Sequence, residues 1–273
     1  MNLARKQFRD IRRGRVSARA EIRKQQVLRN NLEKLAYRRL NTLFRKFVRT
    51  RAYLYKEFGV YDANQSRIAL DEELIPTMTR HYRRVFKAIF ANANELYDKG
   101  TKADEVFILG RSVDFERLVE SYFAGRALTL SGISTRMANR IDKIIRDGRA
   151  DNLTLAQISK LISDKVMPIT RARAATIART ETHNAASFAN HSYYGTVAND
   201  LGMEMVKEWV STSDIRTRST HSSANGQQRP MNEDFLIGGT PMGYAGDPKG
   251  GAKNVINCRC VIIYTDAQDV VVN

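Results

Sequence analysis

The sequence predicts a mostly α-helical protein with a small α+β domain at its C-terminal end. Apolar residues recur at helical spacing over most of the first 200 positions. After Gly202 the chain changes to short β-like segments separated by Gly, Ser, Asn and Pro. The 273 residues suffice for one large domain or two smaller ones. We expect a basic helical arm over 1–60, a helical domain over 61–130 and a C-terminal domain over 131–273, which carries short antiparallel strands.

The overall composition is that of a globular protein, with 27% charged and 42% hydrophobic residues. No apolar run reaches the roughly 20 residues that span a bilayer. The basic N-terminus lacks the apolar segment of a secretory signal. Cys258 and Cys260 lie too close in sequence to form a relaxed disulfide with each other. We therefore expect reduced thiols and synthesis in the cytoplasm.

The positive charge is concentrated at the N-terminal end. The net charge is +16, and residues 1–56 contain 18 Lys and Arg against three acidic residues. The remaining residues carry almost equal numbers of basic and acidic groups. The excess charge therefore belongs to the first fifth of the chain and needs its own explanation.

Residues of the basic segment also follow a helical pattern. Apolar side chains recur every three to five positions from Leu28 to Phe47, which predicts an amphipathic helix from about residue 17 to 57. Arginines dispersed over its other faces favour sequence-independent contact with DNA phosphates. An acidic protein surface, a membrane surface and simple solvation stay open as alternatives. The candidate DNA-binding residues are Arg5, Lys6, Arg9, Arg12, Arg13, Arg15, Arg19, Arg23, Lys24, Arg29, Arg38, Arg39, Arg45, Lys46, Arg49 and Arg51.

The middle of the chain predicts a series of separate helices. A second helix with Pro76 in its first turn is expected to end near Gly100. Further helices follow over about 112–128 and 134–147, the latter closed by Gly148.

The next segment predicts two more helices and then a long loop. A capping box of Thr154 and Gln157 begins a short helix that ends before Pro168. A long helix then covers residues 170–201. Residues 211–253 predict a loop with little regular structure, which is unusual unless the loop is functional or held by polar contacts.

Glu181 is the first candidate for a functional or structurally important charged residue. It falls on the apolar stripe of the long helix. A buried carboxylate costs several kcal/mol unless it is paired and hydrogen-bonded. We therefore expect a structural ion pair, with Arg259 or one of Arg216 and Arg218 as the partner. A catalytic glutamate is the alternative.

A second group of polar residues follows the short strand that contains Trp209, the only tryptophan, which we expect to anchor the small core. Asp214, Arg216 and His221 precede an Asn-Gly turn at Gly226. No Gly-x-Ser-x-Gly elbow accompanies them. A hydrogen-bond network that fixes the loop is therefore favoured over catalysis.

Cys258 and Cys260 should share one face of a strand, with Arg259 on the opposite face. Together with His221 and His183 they offer donor atoms for zinc. A lone Cys-x-Cys is weak evidence for a zinc site. Buried thiols without a metal are therefore favoured, and the metal site stays open.

Taken together, these motifs resemble the phage head morphogenesis family, the minor head proteins similar to protein F of phage Mu. The resemblance covers about residues 130–265 and includes the Gly-Asp-Pro loop at 246–248. The matching motif positions are Arg179, Thr180, Glu181, Lys207, Trp209, Asp214, Arg216, Arg218, His221, Gly226, Asn257, Cys258, Arg259 and Cys260.

The resemblance implies a structural minor head protein rather than an enzyme. Such a protein associates with the portal and other capsid proteins, in the head interior or at the portal vertex. It is present in multiple copies and contacts packaged double-stranded DNA to aid packaging or ejection. No cofactor or small-molecule substrate is expected. Three alternatives stay open: an ADP-ribosyltransferase-like enzyme, a metal-dependent enzyme and a membrane-active ejection protein.

Overall fold

The computed structural model describes residues 18–94, 107–108, 111–112, 114–212 and 214–267. It has the predicted fold class, mostly α with a small α+β region at the C-terminal end. The long helices α1 to α4 span Ala18–Phe58, Ala63–Asn94, Phe115–Ala150 and Leu155–Leu201. A short antiparallel hairpin lies between α2 and α3, with strands β1 (Phe107–Ile108) and β2 (Arg111–Ser112). In the described part of the chain, no helix is long and apolar enough to cross a membrane.

The C-terminal region is built around a three-stranded antiparallel sheet. Its middle strand, β3 (Met205–Val210), pairs with β4 (Gln228–Pro230) on one side and with β7 (Val261–Asp266) on the other. Six register pairs, from Met205–Asp266 to Val210–Val261, join β3 to β7. The elements of this region are β3 (Met205–Val210), α5 (Ser219–Ser223), β4 (Gln228–Pro230), β5 (Phe235–Ile237), β6 (Thr240–Met242), a 3-10 turn (Pro248–Gly250), α6 (Gly251–Val255) and β7 (Val261–Asp266).

The chain divides into two compact units that do not follow its linear order. Unit one takes the described parts of Met1–Leu32, Arg83–Val119 and Thr180–Asn273. Unit two consists of Glu33–Tyr82 and Glu120–Arg179. The described residues of the predicted arm therefore contribute to both units.

Unit two has a core to which α1 contributes its apolar stripe. Leu40, Phe44 and Tyr55 are buried. Ser159 donates a hydrogen bond to the carbonyl oxygen of Ala52 at 2.8 Å, which ties α4 to α1. The predicted helix over about 17–57 is confirmed, and its apolar face is covered by protein.

Unit one has a core rich in aromatic rings. Phe86 of α2 stacks on Phe188 of α4 with 5.8 Å between ring centroids. Tyr194 of α4 stacks on Tyr264 of β7 at 4.6 Å. Trp209 is fully buried, so the prediction that it anchors the small core is confirmed.

Two predicted helix breaks are absent, one between residues 128 and 134 and one at Pro168. One continuous helix, α3, replaces the helices expected over 112–128 and 134–147, and Gly148 lies inside it. Likewise α4 continues through Pro168. A proline removes one intrahelical hydrogen bond, but buried neighbours such as Val166 and Thr170 hold this helix in place. Tertiary packing here outweighs local propensity.

Two further expectations need correction. Pro76 lies inside α2 rather than in its first turn. Residues 211–253 contain α5, β4, β5, β6 and a 3-10 turn, where a loop was expected. Strands of three residues are too short to show a period in the sequence.

The predicted capping box at the start of α4 is confirmed and gives a stability test. The N–H of Gln157 donates to Oγ1 of Thr154 at 3.3 Å, and the N–H of Thr154 donates to Oε1 of Gln157 at 2.8 Å. Thr154→Ala should lower the free energy of unfolding by about 1 kcal/mol, because it leaves an N–H at the helix end without its acceptor. Thr154→Ser should stay close to the parent protein in urea denaturation. Equal stability of all three proteins would contradict the assigned role.

Candidate functional site

The segment that enters β7 positions the two cysteines. Asn257 adopts a left-handed backbone conformation with φ of 56°, and its N–H donates to Oγ1 of Thr180 at 3.1 Å. Cys258 and Cys260 are both buried, whereas Arg259 is only partly buried. The predicted alternation is therefore present, although these residues precede β7 instead of lying within it.

His221 of α5 lies against both sulfur atoms. Its Nδ1 atom is 3.3 Å from Sγ of Cys260 and 3.7 Å from Sγ of Cys258. Trp209 packs edge-on against the imidazole ring with 5.5 Å between centroids. The three donor atoms all lie within 4.8 Å of one another, in a buried position. The structure thus brings together the residues that the sequence singled out as possible zinc ligands.

Arg29 and His183 complete this buried polar cluster. Nη1 of Arg29 donates to Nδ1 of His183 at 2.8 Å and to the carbonyl oxygen of Cys260 at 3.3 Å. Burial lowers the pKa of the Arg29 guanidinium to about 10, while the two nearby cysteines act in the opposite direction. Burial also lowers the pKa of His183, which favours the neutral ring.

Cys258 and Cys260 influence each other's ionisation. The hydrogen bond between their sulfur atoms lowers the pKa of Cys258 well below the usual value of a thiol. The same hydrogen bond raises the pKa of Cys260. The two sulfur atoms therefore titrate as a coupled pair and not as independent thiols.

The loop after β3 is hydrogen-bonded to the segment that contains the cysteines. Both carboxylate oxygens of Asp214 accept hydrogen bonds from Arg259, at 2.5 and 2.6 Å. Nη2 of Arg218 donates to the carbonyl oxygen of Ile256 at 2.5 Å. Asp214 also accepts from the N–H of Arg216 at 3.0 Å. With the contact of His221, this makes three links between the two segments.

This arrangement corrects the expected partner of Glu181. Arg259 pairs with Asp214, and Arg218 binds a carbonyl oxygen of the backbone. Glu181 is 2% exposed, so its predicted burial is confirmed. The neighbouring Arg179 belongs to unit two, where it pairs with Glu33 at 3.2 Å.

Lys207 and the Gly-Asp-Pro loop form a second set of buried polar contacts beside the sheet. Lys207 is 1% exposed and donates from Nζ to the carbonyl oxygen of Gly243 at 2.7 Å. Asp247 accepts hydrogen bonds from the N–H of Gly243 at 2.7 Å and the N–H of Lys249 at 2.9 Å. Gly246 has a positive φ of 87°, and a side chain there would collide with Asn184.

Gly226 closes the turn after α5. Its N–H donates to the carbonyl oxygen of Trp209 at 2.8 Å, and its φ is 77°. Oδ1 of Asn225 accepts from the N–H of Ser211 at 2.8 Å. The turn therefore fastens α5, and with it His221, to the end of β3.

The candidate DNA-binding residues fall into several groups. Arg29 is buried, at 8% exposed, so it does not contribute to a solvent-facing basic surface. Lys46 forms an ion pair with Glu73 at 3.0 Å. Arg39 and Arg51 are partly buried. The exposed residues are Arg23, Lys24, Arg38, Arg45, Lys46 and Arg49. The residues whose side chains lie outside the described part are Arg5, Lys6, Arg9, Arg12, Arg13, Arg15 and Arg19.

The role of Arg29 was missed in the sequence because basic residues surround it. A signal was present, since Glu21, Gln25 and Arg29 continue the buried stripe of Leu32 and Ala36 toward the N-terminus at helical spacing. Polar residues in place of apolar ones on a buried face indicate a buried polar network.

A comparison with protein families supports the class suggested by these motifs. Residues 139–263 match the family described as phage Mu protein F like protein. The matched region contains the paired cysteines, the Asp214 loop and Glu181. The match covers just under half of the chain, and the predicted resemblance to this family is confirmed.

Two relatives extend this comparison. The chain is 24% identical over 262 residues to the minor head protein GP7 of Bacillus phage SPP1, covering 90% of this chain and 82% of the relative. It is 30% identical over 150 residues to the NAD(+)--arginine ADP-ribosyltransferase EFV of Enterococcus faecalis (strain ATCC 700802 / V583). That match covers 54% of this chain but only 30% of the relative's length. No solved structure matches the chain. The family and the minor head protein relative support a structural role in a phage head.

Lys207 gives a pH-dependent test of this site. Burial lowers its pKa from the ordinary 10.5 to about 8. Between pH 8 and 10.5, the Lys207 side chain therefore binds more protons in the unfolded chain than in the folded one. The free energy of unfolding consequently rises with pH over this window. Below pH 8, the cost of burying the charged lysine is fully present. The rise amounts to at most about 3 kcal/mol. The Lys207→Met variant should lack this rise when the free energy of unfolding is measured from pH 7 to 10.5.

The matched control is Lys253→Met, which replaces an exposed lysine of the same region. It should follow the pH dependence of the parent protein. Identical pH profiles for Lys207→Met and the parent would show that Lys207 is not held in the buried, desolvated state assigned to it.

Proposed function

We propose that this protein is a structural minor head component of a DNA bacteriophage that associates with the portal and other capsid proteins and contacts the packaged DNA. This role places it in the virion, in the head interior or at the portal vertex, in several copies, after assembly in the host cytoplasm. The contact with DNA aids packaging or ejection. The match to a minor head protein over 90% of the chain supports the structural part of the proposal.

The DNA contact is supported by one face of α1 within unit two. Lys34, Arg38, Arg45 and Arg49 are all exposed. At 3.6 residues per turn, their side chains fall within an arc of about 60° and extend over about 22 Å along the helix. We call these four residues the basic face. Residues 34–49 contain no acidic residue.

The charges of the basic face are not neutralised by the protein. In the part of the chain that the structure describes, these four side chains form no ion pair, in contrast to Lys46 on the same helix. A row of exposed, unpaired cations attracts a polyanion and releases the counterions that the polyanion had condensed. The proposed contact is with DNA phosphates and not with base edges, so it does not depend on the DNA sequence.

Deleting residues 1–56 would be a poor test, because it removes buried core residues such as Leu40 and Phe44. Substituting the basic face is sharper. The triple variant Arg38→Gln, Arg45→Gln, Arg49→Gln should weaken binding to duplex DNA by about tenfold or more near physiological salt, since three phosphate contacts are lost. The slope of log K against log salt should fall in magnitude by about 2 to 3. Fluorescence anisotropy over a salt series measures both quantities.

A matched control removes the same charge elsewhere in unit two. Lys143, Arg146 and Lys160 each form an ion pair with an aspartate one helical turn away. Their triple substitution by Gln should leave both affinity and salt slope close to those of the parent. Equal losses in the two triple variants would mean that net charge alone causes binding, and no loss in either would exclude the basic face as a DNA contact.

A further inference from the structure

His221, Cys258 and Cys260 form a compact group of metal-donor atoms in unit one. The Nδ1 atom of His221 lies 3.3 Å from one sulfur and 3.7 Å from the other. All three donor atoms lie within 4.8 Å of one another, and all three residues are buried. We propose that these side chains bind one zinc ion, which joins α5 to the segment before β7.

The separations agree with the edges of a zinc coordination tetrahedron. Bond lengths of about 2.3 Å to sulfur and about 2.0 to 2.1 Å to nitrogen place ligand sulfur and nitrogen atoms about 3.5 Å apart. The two measured nitrogen–sulfur distances lie on either side of this value. The two nitrogen–sulfur separations are therefore those of a tetrahedral zinc site.

The chemical types of the three donor atoms favour zinc over other common metal ions. Thiolate sulfur and imidazole nitrogen suit zinc, whereas magnesium and calcium require several oxygen ligands. The Cys-x-Cys spacing is shorter than the spacing common in structural zinc sites. The assignment therefore rests on the three-dimensional arrangement with His221, which lies 37 residues before Cys258.

His183 lies in the same buried cluster but is not assigned as a ligand. Arg29 is always a donor, so Nδ1 of His183 uses its lone pair to accept the hydrogen bond at 2.8 Å. A neutral imidazole ring then carries its proton on Nε2 and has no lone pair left for a metal. Among the residues that the structure describes, the site thus has three protein donors, and the fourth tetrahedral position is left to water or another small ligand.

The proposed ion has a structural consequence. It would cross-link α5 and the segment before β7, which already share the Asp214–Arg259 and Arg218–Ile256 contacts. The unfolded chain contains no preformed site, so zinc binding stabilises the folded state. Arg29, bonded to the carbonyl oxygen of Cys260, would hold one ligand in position.

The first experiment measures metal in the full chain, purified without a metal-binding tag or added chelator. Elemental analysis should give about one zinc per chain, and cobalt substitution should produce the thiolate-to-cobalt charge-transfer absorption. Fewer than about 0.1 zinc per chain, together with no such absorption after cobalt addition, would overturn the proposal.

Variants then assign the ligands. Cys258→Ser, Cys260→Ser and His221→Asn should each lose most of the zinc. The control is His191→Asn, another histidine of unit one, which contacts the hydroxyl of Tyr264 at 3.3 Å and not the sulfur atoms. The control should retain its zinc. Retention in all four variants, or equal loss in all four, would contradict the assignment.

A measurement on the unmodified protein avoids the risk that a variant fails to fold. Removing the metal with a chelator should lower the Tm, and zinc but not magnesium should restore it. An unchanged Tm after complete removal of zinc would refute the structural role of the ion.

Discussion

The buried guanidinium of Arg29 is the constraint on which the polar interior of unit one depends. A cation removed from water must be hydrogen-bonded, or the folded state loses several kcal/mol. Its partners are His183 on α4 and the carbonyl oxygen of Cys260, which lie 154 and 231 residues further along the chain. One side chain of α1 therefore fixes the position of a helix and of the strand-entry segment. If α1 packed in another register, the Arg29 guanidinium would be exposed to solvent or would lose its hydrogen-bond partners.

Helix α1 also explains how one segment carries both the excess charge and a core function. Its apolar stripe is buried in unit two at Leu40 and Phe44, while Arg38 and Arg45 stay exposed on the same helix. A sequence with so many arginines suggests a separate arm, but the helical period divides them between environments. Burial, not residue type, therefore separates the structural Arg29 from its exposed neighbours.

Much of the fold followed from periodicity, because long amphipathic helices carry a strong signal. Helix α1 was predicted to within one residue at each end, and the capping box at Thr154 was correct. The break at Pro168 was wrong because packing of α4 holds the helix on both sides of the proline. The elements between 211 and 253 were missed because strands of three residues lack a readable period.

The candidate site shows what spacing alone cannot determine. The sequence indicated that Asp214, Arg216 and His221 belong to one network, but it left Arg259, Arg216 and Arg218 as candidate partners of Glu181. Asp214 and Arg259 are 45 residues apart, and only the path of the chain through α5, β4, β5, β6 and α6 brings them together. Charges identify which groups need a partner but do not choose among several arginines.

The geometry gives the motif a physical meaning. Asp214, Arg218 and His221 sit four and then three residues apart, and each binds a different member of the segment from Ile256 to Cys260. The first binds a side chain, the second a backbone carbonyl and the third a pair of sulfur atoms. A shift of the segment by one residue would separate Arg259 from Asp214 and the two sulfur atoms from His221, whereas Arg218 would still meet a backbone carbonyl oxygen. The motif therefore specifies the register in which β7 joins the sheet, and the hydrogen-bond pairing of β3 with β7 follows from it.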